Sequence, residues 1–125
     1  GGIADLRSML FDDGEGELAQ AMFPDMHADK PQGMRRYQVF RFSSRIGFKP
    51  PYFYHPKLRD RLHRYTGPAL VIWGGNDKFV PVSHAEAYGA ALSGGTVQMV
   101  DGCGHAVILE APGAVAENIT AFLSN

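Results

Sequence analysis

Two short apolar runs on either side of a helical pattern constrain the fold of this chain more than any other feature. The runs cover residues 69–73 and 96–100, are rich in β-branched side chains and are bounded by Gly or Pro, so both predict strands. Residues 83–92, between them, are rich in Ala and predict a helix. Strand, helix and strand at this spacing predict a βαβ unit with parallel strands and a right-handed crossover.

A carboxylate and an imidazole follow the two predicted strands. Asp77 follows the first strand in Gly-Gly-Asn-Asp, and His105 follows the second in Asp-Gly-Cys-Gly-His. Parallel strands end at one edge of a sheet and lie about 4.8 Å apart, so short loops there bring the two side chains together. A carboxylate bonded to one ring nitrogen leaves the other nitrogen free to act as a general base.

Each of these residues has an alternative role. Asp101 ends the second strand close to His105 and is an alternative acid. Asp77 is also a candidate cap for the following helix, although Ser83 lies closer to the start of that helix, and His105 is also a candidate buried structural histidine. We favour the catalytic pair because both residues follow strand ends. Glu110 is expected to support the histidine loop or the last helix rather than to catalyse.

Residues 68–123 resemble the C-terminal end of the α/β-hydrolase fold. The matching motifs are Trp-Gly-Gly-Asn-Asp at 73–77, Val-Pro at 80–81, Gly-His at 104–105, Glu-Ala-Pro at 110–112, and a closing helix that ends at 121–123. The acid precedes the histidine, as it does in this family. The resemblance implies that Asp77 is the triad acid and His105 the triad base. It implies no cofactor, and no His, Cys, Asp and Glu cluster shows metal-ligand spacing.

The chain contains no nucleophile in the setting that the resemblance implies. The family usually carries Ser in G-x-S-x-G at a strand-to-helix elbow before the acid, and no serine here has that sequence. Cys103, the only cysteine, lies beside the histidine, where the family has no nucleophile. The oxyanion-hole loop of the early strands is missing as well. Because a nucleophile is missing, we expect that this chain alone turns over no substrate. Because it starts with Gly-Gly-Ile and not with Met, we expect a fragment or a processed or engineered product.

The N-terminal half predicts several short helices joined by loops. By the resemblance, residues 1–66 form the helical lid that is inserted before the acid strand, and residues 67–125 form the C-terminal portion of the hydrolase core. Lids cover the catalytic edge and select the substrate. The fold class is therefore α/β: a partial α/β-hydrolase fold, with a helical lid followed by a βαβα unit with parallel strands. The predicted lid helices cover residues 4–10, 15–23, 32–44 and 55–65.

Charge is unevenly distributed although the net charge is only −1. Acidic side chains dominate residues 5–29, whereas basic and aromatic side chains alternate in residues 30–64. A nucleic-acid or anionic-lipid surface is one interpretation; we favour mutual pairing of the two stretches, because no nucleic-acid motif is present. The sequence shows no charged-then-apolar leader and no long apolar run, so we expect no membrane partner and a cytoplasmic location.

The sequence thus predicts part of a hydrolase that acts on an ester, lactone or related bond of a small molecule. The same resemblance admits C–C bond hydrolases, haloalkane or epoxide hydrolases and cofactor-free haloperoxidases, because fold does not fix function. The alternative is a non-catalytic binding or assembly module. Two strands alone leave one edge of the first strand unpaired, so we expect the missing N-terminal segment or a homodimer partner to complete the sheet.

Overall fold

The computed structural model describes residues 2–25, 30–46 and 57–124. Among the described elements, helices come first, and a unit in which strands and helices alternate follows. We call residues 2–25 and 30–46 together the helical segment and residues 67–124 the sheet unit. In chain order the elements are α1 (Ile3–Leu10), α2 (Glu17–Met22), α3 (Lys30–Ile46), a 3₁₀ helix (Arg59–Arg64), β1 (Ala69–Gly74), α4 (Ser83–Ala91), β2 (Gly95–Val100), α5 (Val107–Glu110) and α6 (Pro112–Leu123).

The two strands are parallel, as predicted. They pair in register from Ala69 opposite Gly95 to Gly74 opposite Val100, so both strands end at the same level. Helix α4 connects them and buries Ala85. The loops that follow the two strands therefore leave the sheet side by side, and this pairing positions the candidate site.

Helices α5 and α6 complete the sheet unit. Pro112 occupies the first turn of α6, where its missing N–H costs no hydrogen bond. Helix α6 buries Val115 and packs against both strands. Helix α5 is a single turn that the sequence did not predict, because four residues are too few to show a helical period.

The helical segment has a small core of its own around Phe11 and Arg7. Phe11 is 2% exposed, and its ring meets the ring of Phe23 edge to face, with centroids 6.1 Å apart. Arg7 is 5% exposed and donates to the Phe23 carbonyl at 3.0 Å. Its guanidinium also forms ion pairs with Glu15 and Asp25. These ion pairs lie within the acidic stretch, and the predicted pairing of the acidic and basic stretches stays a prediction.

The predicted helix at 55–65 is wrong in type and extent. Residues 55–56 lie outside the described residues, and Arg59–Arg64 form a 3₁₀ helix in which every residue is exposed or half-buried. This stretch is mostly basic and has too few apolar side chains to bury one face of an α-helix. The predicted helices at 4–10, 15–23 and 32–44 correspond to α1, α2 and α3, whose ends differ by up to two residues from the predicted ones. None of the helices in the described ranges is long and apolar enough to cross a bilayer.

Candidate active site

The loops after β1 and β2 are bonded to each other along their backbones. Gly75 N–H donates to the Val100 carbonyl, and Asn76 N–H donates to the Cys103 carbonyl, each at 2.9 Å. Gly74 is buried, and a Cβ at this position would overlap the carbonyl oxygens of the histidine loop. A glycine is therefore required where the two loops pass each other.

This arrangement brings Asp77 and His105 into direct contact. His105 Nδ1 lies 2.9 Å from Asp77 Oδ2. The other carboxylate oxygen, Oδ1, accepts from the backbone N–H groups of Phe79 at 2.9 Å and Val80 at 2.8 Å. The Asp77 side chain is only 3% exposed, whereas that of His105 is 37% exposed. The acid is thus enclosed, and the imidazole faces outward.

The surroundings of Asp77 favour its ionised form. Burial by itself would raise its pKa, but the hydrogen bonds from Val80 N–H, His105 and Phe79 N–H, with the charge interaction with His105, outweigh burial and lower the pKa below the usual 3.8. An ionised carboxylate only accepts, so Nδ1 of His105 carries a proton, and Nε2 is the nitrogen that points away from Asp77. The Phe79 ring packs edge to face on the imidazole, with centroids 4.9 Å apart.

The structure shows where each of the alternative residues lies. Asp101 is exposed, and the carboxylate that contacts His105 is that of Asp77. Asp77 does not cap α4, because its oxygens bind within its own loop and at His105. His105 is not a buried structural residue, since more than a third of its side chain is exposed.

Glu110 supports the histidine loop, as predicted, and also reaches a residue that the sequence did not single out. Its Oε1 accepts from Gly104 N–H at 2.9 Å. Its Oε2 accepts from Asp12 N–H at 2.7 Å. Asp12 precedes Glu110 by 98 positions, so no local pattern connects the two.

Cys103 is unsuited to act as a nucleophile here. The residue is 4% exposed, and burial raises the pKa of its thiol, as do the negative charges of Glu110 and Asp12. A thiol in such surroundings stays protonated, and the thiolate is the nucleophilic form. Within the part of the chain that the structure describes, no three His, Cys, Asp or Glu side chains are grouped to hold a metal ion.

A sequence profile of the alpha/beta hydrolase family matches residues 2–118, so the chain belongs to this family. It is similar to a monoacylglycerol lipase of Xenopus laevis, with 34% identity over 68 residues, covering 54% of this chain and 20% of the lipase. It is also similar to a 2-hydroxy-6-oxononadienedioate/2-hydroxy-6-oxononatrienedioate hydrolase of Cupriavidus pinatubonensis, with 30% identity over 109 residues, covering 87% of this chain and 35% of that hydrolase.

A solved structure shares the fold. The crystal structure of a membrane phospholipase A, described as a bacterial virulence factor, superposes with a TM-score of 0.76 at 24% identity and covers 98% of this chain. This chain in turn covers 37% of the phospholipase. The chain therefore spans about a fifth to a third of the length of the relatives it matches, and it has the α/β-hydrolase fold in part: two parallel strands with helices.

Proposed function

We propose that this chain supplies the acid and the base of a hydrolase that cleaves an ester, lactone or related acyl bond. The observation that carries the proposal is the 2.9 Å contact between Asp77 Oδ2 and His105 Nδ1 at the carboxyl edge of the parallel strands. A buried, ionised acid beside a half-exposed imidazole is the arrangement that general-base catalysis requires. The nucleophile comes from a part of the protein other than these 125 residues.

The pair would act through the free nitrogen of His105. Nε2 takes the proton of the nucleophile's hydroxyl as its oxygen attacks the acyl carbon, and later gives that proton to the leaving group. A water molecule then attacks the acyl-enzyme and gives up its proton to the same nitrogen, which returns that proton to the nucleophile's oxygen as the acyl–oxygen bond breaks and the carboxylic acid leaves. Asp77 keeps the ring in one tautomer and stabilises the imidazolium in both steps. This mechanism uses no cofactor.

The lid would span residues 1–66, which include the helical segment, and residues 67–125 would form the core. A cavity of about 610 Å³ opens between α1 and α3, and its walls are mostly apolar: Ile3, Leu6, Phe23, Tyr37 and Val39. Apolar walls favour a small-molecule substrate with an apolar group. The name of one relative, a monoacylglycerol lipase, supports an ester with an acyl chain as the substrate. The name of the Cupriavidus pinatubonensis hydrolase supports a dienedioate or trienedioate as the second candidate substrate. A cytoplasmic location stays a prediction.

The first experiment defines the protein that contains these residues. Intact mass and N-terminal sequencing of the natural product, with the DNA upstream of Gly1, show whether an in-frame segment carries G-x-S-x-G or a comparable elbow. Such a segment supports the proposal. A start codon directly before Gly1 would leave the natural chain without a nucleophile and would overturn the catalytic role.

The second experiment tests the pair itself in that natural protein, with p-nitrophenyl butyrate as the probe. Asp77→Asn should lower kcat by about 10⁴-fold, because the imidazole loses its fixed tautomer. His105→Gln should lower it at least as far. Asp101→Asn is the matched control and should leave kcat unchanged, because its carboxylate is exposed and the contact to His105 is made by Asp77. Full activity of Asp77→Asn would contradict the assignment.

A second candidate function is a non-catalytic module that completes its sheet with another chain or a second copy. Two observations favour it. The two-stranded sheet leaves one edge of β1 unpaired among the described residues. A groove of about 450 Å³ runs beside that strand and is lined by Leu70, Ile72, Ile108, Ile119, Phe122 and Leu123. Light scattering tests it: a dimer or a stable complex supports assembly, whereas a monodisperse monomer of the 125-residue chain counts against it.

A further inference from the structure

Both neighbours of His105 are held by the backbone of residues 10–12. Ala106 N–H donates to the Leu10 carbonyl at 2.9 Å. On the other side, Gly104 is buried so closely against this backbone that an added Cβ would lie 2.7 Å from its atoms. His105 therefore lies between two points of contact with the same short segment, which consists of the last residue of α1 and the two residues after it.

Glu110 strengthens the contact on the Gly104 side. Its two carboxylate oxygens accept from Gly104 N–H and Asp12 N–H, at 2.9 and 2.7 Å. The side chain is half-buried at the end of α5. Because hydrogen bonds to an ionised acceptor are roughly twice as strong as neutral ones, the carboxylate joins the histidine loop to segment 10–12 more firmly than the backbone alone.

Both neighbours of Asp77 reach the same segment. Asn76 Nδ2 donates to Asp12 Oδ1 at 2.9 Å. Lys78 Nζ donates to the Asp12 carbonyl at 3.0 Å. Asp12 thus contacts the residue before and the residue after the acid, while its own N–H is bound by Glu110. Asp12 is remote from both loops in sequence. It is hydrogen-bonded directly to the acid loop, and Glu110 connects it to the histidine loop.

We propose that Glu110 and segment 10–12 form a positioning clamp that holds both loops of the Asp77–His105 pair to the helical segment. Glu110 and Asp12 are positioning residues: they act through the two loops and touch no reacting atom. The inference rests on the proposed function, and it adds that the pair is competent only while α1 and the segment after it remain docked on the sheet unit. Movement of the helical segment would change the 2.9 Å contact between the acid and the base.

Glu110→Gln is the sharpest test of the clamp. The amide oxygen still accepts one hydrogen bond, but the amide nitrogen only donates, so either Gly104 N–H or Asp12 N–H loses its acceptor. In the natural protein, with p-nitrophenyl butyrate, we expect kcat to fall by about 10- to 100-fold with little change in KM, as for a small misplacement of catalytic groups. Glu117→Gln on the exposed face of α6 is the matched control and should change neither constant.

An NMR readout separates positioning from plain loss of stability. In protein labelled with ¹⁵N-histidine, the Nδ1–H proton of His105 bound to Asp77 gives a resonance that Asp77→Asn abolishes. Glu110→Gln should weaken or shift this resonance at a temperature where the variant is fully folded. If Glu110→Gln lowers Tm but keeps both kcat and the resonance of the parent protein, the clamp is only structural and the inference is overturned.

Asp12→Ala decides the question if Glu110→Gln does not fold. This substitution removes the acceptor of Asn76 Nδ2 and leaves the backbone contacts with Glu110 and Lys78 intact. We expect kcat to fall about threefold to tenfold, the scale of one lost hydrogen bond, and an unchanged kcat would overturn the inference. Failure of the proposed function is recognised separately: Asp77→Asn would then leave hydrolysis intact, whatever Glu110→Gln does to the His105 resonance.

Discussion

The sheet unit and the helical segment are stabilised in different ways. In the sheet unit, a continuous backbone ladder joins β1 to β2 and continues past the strand ends into the loops of Asp77 and His105. In the helical segment, side chains make most of the contacts between elements. Arg7 connects α1 to the residues after α2. The guanidinium of Arg36, on α3, lies 5.5 Å from the centre of the Phe23 ring. Large apolar side chains of α3 remain exposed, such as Phe42 at 66%.

This difference shows which region of the molecule positions Asp77 and His105. Parallel pairing fixes the backbone positions at the ends of both strands, so the loops that carry Asp77 and His105 start from hydrogen-bonded backbone. The helical segment meets the sheet unit through the backbone of residues 10–12, while its own elements are joined mainly by side chains.

The largest effect is expected where the two regions touch. Gly104→Ala would put a methyl group 2.7 Å from the backbone of Phe11 and Asp12. Relieving this overlap requires a shift of the backbone, which costs more than a side-chain rotation. We expect a loss of about 1–3 kcal/mol in the free energy of unfolding, as for other overpacked sites. Urea unfolding followed by circular dichroism measures it.

Gly113→Ala in α6 is the matched control for that prediction. A Cβ at Gly113 meets nothing within 4 Å, so alanine should stabilise the helix by about 0.5–1 kcal/mol. If both alanines stabilise the protein, the close contact between histidine loop and helical segment does not exist in solution.

An effect of similar size, but confined to the helical segment, is expected for Arg7→Met. The methionine keeps much of the apolar stem but removes the donor to the Phe23 carbonyl and the pairs with Glu15 and Asp25. Leaving the carbonyl without this partner costs about 1–3 kcal/mol. Hydrogen exchange should quicken in α1 and α2 and stay unchanged in β1 and β2.

Arg35→Met is the control for that variant, because Arg35 is exposed on α3. It should leave exchange unchanged throughout. Equal acceleration in the strands and the helices of Arg7→Met would mean that the two regions unfold as one unit, and the comparison drawn above would fail.

The smallest effect concerns the acid and belongs to the sheet unit alone. The pKa of Asp77 is lowered in the folded protein, so its ionised form contributes stability above its ordinary pKa of 3.8. That contribution is lost as the pH falls through the lowered folded pKa. The stability difference between the parent protein and Asp77→Asn should therefore be present just above pH 3.8 and shrink as the pH falls below it. A difference that does not change with pH would show that Asp77 has an ordinary pKa.

Local patterns predicted the sheet unit well because its signals are local. β-Branched runs bounded by Gly and Pro predicted both strands to within one residue at their ends, and the Ala-rich stretch predicted α4. Since parallel strands share a carboxyl edge, the positions of Asp77 and His105 shortly after the two strands were enough to predict that they lie close together. The same reasoning failed for the 3₁₀ helix, where no apolar period exists to follow.

The sequence by itself therefore determined the parallel βαβ unit, the pair of candidate residues and the resemblance to a hydrolase, because each rests on residues that are close along the chain. Tertiary structure alone showed that Asp77, rather than Asp101, contacts the imidazole of His105, since both acids lie near strand ends. It alone brought Asp12 to Glu110, across 98 positions. No periodicity or motif encodes such a contact, because it is created by the packing of one region on another.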